Sequence, residues 1–203
     1  MDSHGDHRQT ARMHQSSIAL SIVALGLAAS PVRAAGEADV QTAQITEQGS
    51  DISWGHAVAV IDQPIEDIVS VVVDYGNYAH FMPNFTKSKI LAQRGNGAMV
   101  YMEVSVASGT FTLWGQLKFY ETAPEGNTRV IEARLLEGNM DAFSASWRMT
   151  PVGDGKRTQV DFKIYVDPHM PLPSSVFSRE NEKAAGKTLR ALRTRVTEAS
   201  ERS

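Results

Sequence analysis

Residues 98–121 read AMVYMEVSVASGTFTLWGQLKFYE, two alternating segments on either side of a turn of small residues. Apolar side chains occupy every second position of the second segment, as at Leu113, Leu117 and Phe119. A period of two is typical of a β-strand that buries one face and exposes the other. Because only residues 107–109 separate the segments, the two strands must pair antiparallel. This stretch therefore predicts a β-hairpin with one apolar face.

The same pattern continues on both sides of the hairpin. Short segments rich in glycine, asparagine and proline separate further stretches with the composition of strands. These stretches span residues 52–61, 86–93, 129–136, 141–150 and 158–166. From residue 86 onward no helical pattern interrupts them, so we predict an antiparallel meander in a sheet of about six to seven strands.

Two regions carry helical periodicity instead. Apolar residues recur at helical spacing after the first strand, at Ile65, Ile68, Val69 and Val72, and a second short helix is expected near residues 78–81. A long helix is predicted from about Ser174, because an apolar stripe continues through Ala185, Leu189, Leu192, Val196 and Ala199. The order of elements predicts an α+β fold in which a curved antiparallel sheet wraps around a long C-terminal helix.

This architecture predicts a cavity, because one helix covers the centre of a curved sheet and leaves part of the concave face open. Small inward residues, including Gly115 and Ala145, leave further space, and the segments 75–85 and 169–173 are candidate gates. The side chains expected to contact a ligand are apolar and point inward. They are Tyr78, Met82, Met102, Val104, Phe111, Leu113, Phe143, Trp147, Phe162, Ile164 and Leu189.

Composition excludes several kinds of chemistry. The chain has no cysteine, which rules out thiol catalysis, zinc–thiolate sites and disulfides. Its histidines are not arranged in the spacing of a zinc site, and the sequence contains no phosphate-binding or dinucleotide-binding glycine motif. With a net charge of −3, the chain offers no overall attraction to nucleic acid. We therefore predict no metal site, no cofactor and no nucleic-acid partner.

No catalytic residue is predicted outright, but four are candidates if the protein is an enzyme. Glu132 and Arg134 share one face of a strand, and an inward orientation would place an acid–base pair in the cavity. An outward orientation would instead place them in solvent and make Ile131 and Ala133 core residues. His56 of the first predicted strand and Tyr165 of the last one are the other two candidates.

The N-terminus resembles a secretory signal peptide. Arg8 and Arg12 precede an apolar run over residues 18–29, which is followed by small residues. The run is shorter than the about 20 residues that span a bilayer, although an uncleaved anchor is the alternative. We predict a signal peptide over residues 1–35 with cleavage near Ala34 or Ala35, and a periplasmic or secreted mature protein. A flexible leader over residues 36–50 and a domain over residues 51–203 would follow.

The C-terminal helix is richer in basic residues than the rest of the chain, and includes Arg179, Lys183, Lys187 and Arg190. This surplus is compatible with transient contact with an anionic membrane surface. The alternative is an ordinary solvated helix face in which acidic and basic residues pair at a spacing of four.

Three segments resemble the START-like (SRPBCC) superfamily, in its polyketide cyclase/dehydrase and coenzyme-Q-binding branch. The run Asp74-Tyr75-Gly76-Asn77-Tyr78 followed by Phe81-Met82-Pro83 is similar to a segment found between the first helix and second strand of that family. Residues 136–151 and 157–160 also agree, and the resemblance covers about residues 52–198. It implies a helix-grip fold with an apolar cavity for lipids, quinones or polyketides. It implies no particular reaction.

Three functions therefore remain open at the level of sequence. The first is an exported protein that binds and transfers an apolar or amphipathic small molecule. The second is an exported cyclase or dehydratase-like enzyme that uses the same cavity. The third is an interaction module that inhibits or tethers a partner protein. An apolar lining favours the carrier and an inward acid–base pair favours the enzyme. A filled core would favour the interaction module.

Overall fold

The computed structural model describes residues 40–168 and 170–202, so the predicted signal peptide lies outside the described residues. Within them, eight strands form one antiparallel sheet. The strands are β1 (Gln41–Ile45), β2 (Trp54–Ile61), β3 (Phe85–Arg94), β4 (Gly97–Val106), β5 (Phe111–Glu121), β6 (Arg129–Gly138), β7 (Met140–Val152) and β8 (Arg157–Pro168). Their order across the sheet is β1-β2-β8-β7-β6-β5-β4-β3, so the first long strand pairs with the last.

The helices are inserted at two points of this order. The short helices α1 (Ile65–Val72) and α2 (Tyr78–Phe81), separated by a 3-10 turn at Tyr75–Asn77, carry the chain from β2 to the far edge strand β3. The long helix α3 (Ser174–Ser200) follows β8. These features confirm the predicted α+β helix-grip architecture.

A flexible leader was predicted over residues 36–50, but residues 41–45 of this segment form strand β1. Gln41–Ile45 pairs with β2, with Gln41 opposite Val58 and Ile45 opposite Trp54. Most of its side chains are exposed, so an edge strand of this kind produces no apolar alternation for sequence analysis to detect. Backbone pairing holds it in place, and the Glu182 carboxylate of α3 accepts hydrogen bonds from Thr42 Oγ1 at 3.1 Å and from Gln44 Nε2 at 2.9 Å. The folded domain therefore includes β1, at residues 41–45.

Helix α3 packs on the concave side of the sheet, mainly against β2, β8 and β1. Its apolar stripe is buried, and Ala185, Leu189 and Leu192 have no exposed surface. The facing residues of β2 are Ala57 and Ala59, which are small enough for the helix to lie close to the strand. The predicted stripe thus forms the helix side of the hydrophobic core.

The N-terminal half of α3 touches the backbone of β2. A methyl group at Gly55 would lie 1.9 Å from the Asn181 carbonyl oxygen, so this contact requires glycine. Buried Asn181 donates hydrogen bonds from Nδ2 to the carbonyl oxygens of Ser53 at 3.1 Å and Val166 at 3.3 Å. Ser178 Oγ accepts a hydrogen bond from the Ser53 amide at 2.9 Å. The Ser53, Ser178 and Asn181 groups therefore satisfy one another here, and their hydrogen bonds hold the helix over β2 and the end of β8.

The segment between α1 and β3 covers one end of the sheet. The Tyr78 hydroxyl donates a hydrogen bond of 2.6 Å to the Val72 carbonyl oxygen, which ties α2 to the end of α1. The Tyr75 ring lies against Phe119 of β5, with 4.3 Å between ring centroids. Burial, together with the negative charge of Glu121, raises the pKa of Tyr75 to about 12. Both tyrosines thus belong to the packed roof above β5.

Replacement of Gly55 by alanine is expected to destabilise the fold by about 3 kcal/mol or more, because the new methyl group forces α3 away from β2. Gly97→Ala in β4 is the matched control, since its methyl group would meet the Phe119 carbonyl oxygen at an ordinary contact distance of 3.4 Å. Urea unfolding of both variants measures the free energy difference. Equal stability of the two variants would contradict the close contact between β2 and α3.

Candidate functional site

A cavity of about 880 Å³ lies between the concave face of the sheet and helix α3. Its wall is built from the inward residues of β4 to β8, the segment that follows α2, the bend before α3 and one face of α3. The cavity exists because α3 packs at the β1–β2–β8 side of the sheet, whereas the sheet continues to curve through β7 to β4. The predicted gap between sheet and helix is therefore present.

Aromatic side chains form the inner end of the cavity. Trp147 of β7 and Phe162 of β8 stack with 3.9 Å between their ring centroids and 29° between their planes. Tyr78 and Phe119 continue this wall, and all four residues are buried. Stacked rings hold one another in fixed rotamers, so this end of the cavity keeps its shape without a ligand.

Small residues keep the middle of the cavity open. Ala133 of β6 pairs directly with Ala145 of β7, and both line the cavity together with Gly115 of β5 and Ala184 of α3. A larger side chain at the Ala133–Ala145 pair would occupy the space between sheet and helix. Ala185, the neighbour of Ala184, is instead fully buried in the core, so only one of the paired helix alanines faces the cavity.

The mouth of the cavity is partly exposed. It includes the β4–β5 turn at residues 107–109, where Ala107 and Ser108 both have positive φ values of 49° and 55°. Leu172, 50% exposed in the bend before α3, also lies here. The predicted gates both border the cavity, through Met82 and Phe85 in one segment and through Met170 and Leu172 in the other. His169 of the second gate lies outside the described residues.

All the side chains predicted to contact a ligand line this cavity except Phe111 and Leu189. Phe111 shares the alternation of β5. It is the first residue of that strand, however, where it lies outside the cavity lining and is 51% exposed. Leu189 is a residue of α3 whose side chain is wholly buried in the hydrophobic core. Leu117 and Phe119 line the cavity and follow from the same alternation, although they were not among the predicted ligand contacts. Contact with a ligand stays a prediction for all of these residues.

The candidate acid–base pair on β6 faces away from the cavity. Ala133 lines the cavity and Ile131 is buried on the same face of β6, so Glu132 and Arg134, which alternate with them, point to the convex side. Glu132 accepts a short hydrogen bond from the Tyr120 hydroxyl, and Arg134 Nη2 lies 3.3 Å from its Oε2. This pair therefore cannot reach a molecule held between sheet and helix.

His56 and Tyr165 also lie on the convex side of the sheet. The His56 Nε2 atom is 2.9 Å from Asp161 Oδ1 across the β2–β8 pair. The Tyr165 ring packs against Trp54 with 5.4 Å between centroids, and its hydroxyl is 3.3 Å from Ser50 Oγ. Neither residue lines the cavity, so the structure brings none of the four candidate catalytic residues to it.

The described residues offer no obvious alternative kind of site. A more open depression of about 650 Å³ lies beside the bend before α3 and includes Asp51 and Tyr165. Among the described residues, no group of three or more histidine, aspartate or glutamate side chains is placed to hold a metal ion. In the same part of the chain, none of the helices has the length and apolarity needed to cross a bilayer.

Solved structures of low sequence identity share this fold. A fragment of the STAR-related lipid transfer protein of Xanthomonas axonopodis is 15% identical with a TM-score of 0.67, over 78% of this chain and 98% of that chain. Human STARD10 is 14% identical with a TM-score of 0.69, over 82% and 72% of the two chains. The Zhui aromatase/cyclase of Streptomyces sp. R1128 is 19% identical with a TM-score of 0.52, over 71% and 93%. At these identities the likeness shows the fold alone.

No curated protein matches this sequence significantly. A family model, in contrast, matches more than half of the chain, from β2 to the last turns of α3. Because the model for polyketide cyclase / dehydrase and lipid transport proteins covers residues 61–193, the chain belongs to that family.

Proposed function

We propose that this protein binds an apolar or amphipathic small molecule in the cavity between sheet and helix, and transfers it as an exported carrier. The observation that carries the proposal is a cavity of about 880 Å³ whose inner walls are aromatic and aliphatic. This volume falls within the range of about 300–1,000 Å³ that is usual for small-molecule sites. Lipids, quinones and polyketides are the ligand classes that fit such walls.

Removal of apolar surface from water would drive binding. Each Å² of ligand surface transferred into the cavity contributes about 25 cal/mol, and contacts with Trp147, Phe162 and Phe119 add dispersion energy. The ligand enters at the partly exposed end, past residues 82–84 after α2 on one side and Leu172 on the other. Since these residues lie outside regular β-structure, their movement opens the mouth without breaking the sheet.

The lining favours a carrier over a cyclase or dehydratase. Its described titratable residues are Tyr78, Glu180, Lys183 and Lys187. The Tyr78 hydroxyl already donates to the Val72 carbonyl oxygen, and burial raises its pKa well above the usual value. The three charged residues lie on α3, whereas the walls that would surround a substrate are apolar. An enzyme of this fold would need a proton donor or acceptor on those walls.

Filling the cavity is expected to weaken ligand binding strongly while the fold remains. Ala145→Phe places a ring in the middle of the cavity and should weaken binding about tenfold or more. The matched control is Ser146→Phe, the adjacent residue of β7 on the convex side. Both variants, purified from their native host, would be compared with the unmodified protein by native mass spectrometry and by extraction of bound lipid.

A copurified apolar compound in the unmodified protein and in Ser146→Phe, absent from Ala145→Phe, would support the carrier. Absence of any apolar compound from the unmodified protein across several growth conditions would refute it. Turnover of an added polyketide chain by the unmodified protein would favour the cyclase instead.

We also propose that transfer involves transient contact with an anionic membrane surface through α3. Arg179 and Arg190 are exposed on this helix and make no ion pair among the described residues, whereas Arg195 lies over the Phe81 ring at 5.6 Å. Exposed cations near an anionic membrane contribute about 1 kcal/mol each. Sedimentation with vesicles that contain anionic phospholipid should therefore decrease for Arg179→Gln combined with Arg190→Gln. If the unmodified protein sediments equally with anionic vesicles and with purely zwitterionic vesicles, the electrostatic contact is contradicted.

Export is proposed on the basis of the signal-like segment at residues 1–35, which lies outside the described residues. The protein recovered from its native host is expected to begin at Ala35 or Gly36, and to fractionate with the periplasm or the medium. Intact-mass measurement of the purified protein tests this. Recovery of the full-length chain from the cytoplasmic fraction would rule out export by this route.

A further inference from the structure

The charged residues on the described cavity lining all belong to one helix. They are Glu180, Lys183 and Lys187, at steps of three and four along α3, so they form one edge of the mouth. The walls contributed by β4 to β8 are otherwise apolar, apart from Ser105 near the turn. The cavity is therefore chemically asymmetric, with an apolar interior and charge at one side of the opening.

These charges do not cancel. Lys183 Nζ and Glu180 Oε1 are 2.7 Å apart, an ion pair between residues three apart in the helix. Lys187, one turn further along, makes no ion pair or hydrogen bond through its side chain among the described residues. Glu180 is the sole carboxylate on the described lining, and it is already paired with Lys183. The mouth thus carries a net charge of +1, located at the Lys187 ammonium.

Lys187 has no evident structural role. Its side chain is exposed, so the ammonium group contributes no buried contact to the core. The neutral polar residues of the lining, among them Asn84, Ser108 and Thr188, supply hydrogen-bonding groups but no opposite charge. An ammonium group beside an apolar opening is well placed to meet a negative charge on a molecule whose hydrocarbon part lies inside.

We propose that the ligand is a long-chain amphiphile with an anionic headgroup, a carboxylate or a phosphate, which binds at Lys187. This inference rests on the proposed function, since it assigns the ligand class of the same cavity. The chain occupies the space lined by Trp147, Phe162 and Ala145, and the headgroup stays at the mouth beside the ammonium. A charged donor strengthens a hydrogen bond to an oxyanion about twofold relative to a neutral one. Cationic headgroups are disfavoured by repulsion at the same position.

The test compares ligands that differ only in the headgroup. Tetradecanoate, tetradecyl phosphate and the neutral tetradecanol would be titrated against a bound neutral fluorescent probe, phenylnaphthylamine, at low salt and pH 7.5. The variants are Lys187→Gln, which removes the unpaired charge, and Glu180→Gln, which releases Lys183. Lys163→Gln, an exposed lysine of β8 outside the lining, is the matched control.

The unmodified protein is expected to bind both anions more tightly than tetradecanol. Lys187→Gln should weaken anion binding about three- to tenfold and leave tetradecanol unchanged. Glu180→Gln should tighten anion binding, a gain that general damage to the fold does not produce. Lys163→Gln should behave like the unmodified protein. Tighter binding of tetradecanoate than of tetradecyl phosphate would point to a fatty acid, and the reverse order to a phospholipid.

Failure of this inference is separable from failure of the proposed function. If tetradecanol displaces the probe as well as the two anions do, or if Lys187→Gln weakens all three compounds equally, the headgroup assignment is overturned and the carrier stands. If none of the three compounds displaces the probe, and the probe itself does not bind, both proposals are overturned. Raised salt should reduce the preference for anions, because an exposed ion pair is screened.

Discussion

The backbone contact between Gly55 of β2 and Asn181 of α3 determines where the helix lies. No side chain separates the two elements there, and the Asn181 amide bonds to carbonyl oxygens of both Ser53 and Val166. The helix is consequently held over β2 and β8 and cannot move toward the centre of the sheet. The concave face from β7 to β4 is thereby left uncovered by α3, and the space over it, with Tyr78 of α2 in its wall, is the cavity.

Side chains around a cavity of this size would pack together and fill it if they were free to move. Here the stacked rings of Trp147 and Phe162 support one another, and the Tyr78 hydroxyl is bonded to the end of α1. The Ala133–Ala145 pair contributes too little volume to fill the centre. The space therefore persists because its walls are internally braced and its middle is lined by small side chains.

Family membership restricts the function without selecting it. The description of the family includes cyclases, dehydrases and lipid transport, and the fold is shared by a lipid transfer protein and an aromatase/cyclase. What separates these activities is the chemistry of the lining. In this chain the candidate acid–base residues lie on the convex face, whereas the Lys187 ammonium, which has no ion-pair partner among the described residues, lies at the mouth of the cavity. That distribution suits recognition of an amphiphile more than proton transfer within the cavity.

The predictions that succeeded depend on local periodicity. Alternation in the strands and the apolar stripe of α3 were sufficient to predict a curved antiparallel sheet around a long C-terminal helix, and they identified strand faces that line the cavity. Strand β1 was missed because an exposed edge strand has no apolar face. Phe111 and Leu189 were misplaced for a related reason: alternation and helical spacing indicate which face a residue is on, but not how far along the element the neighbouring layer extends.

Apart from strand β1, the sequence by itself determined the elements, their order and which of their faces are apolar, since each of these follows from the spacing of neighbouring residues. Only the tertiary structure decided that Glu132 and Arg134 point outward and that Asn181 holds α3 against β2. It also decided that Lys187 lies at the mouth with no ion-pair partner in the part of the chain that the structure describes. Each of these depends on groups that are far apart in the sequence and close together in the fold, and the spacing of neighbouring residues does not predict such contacts.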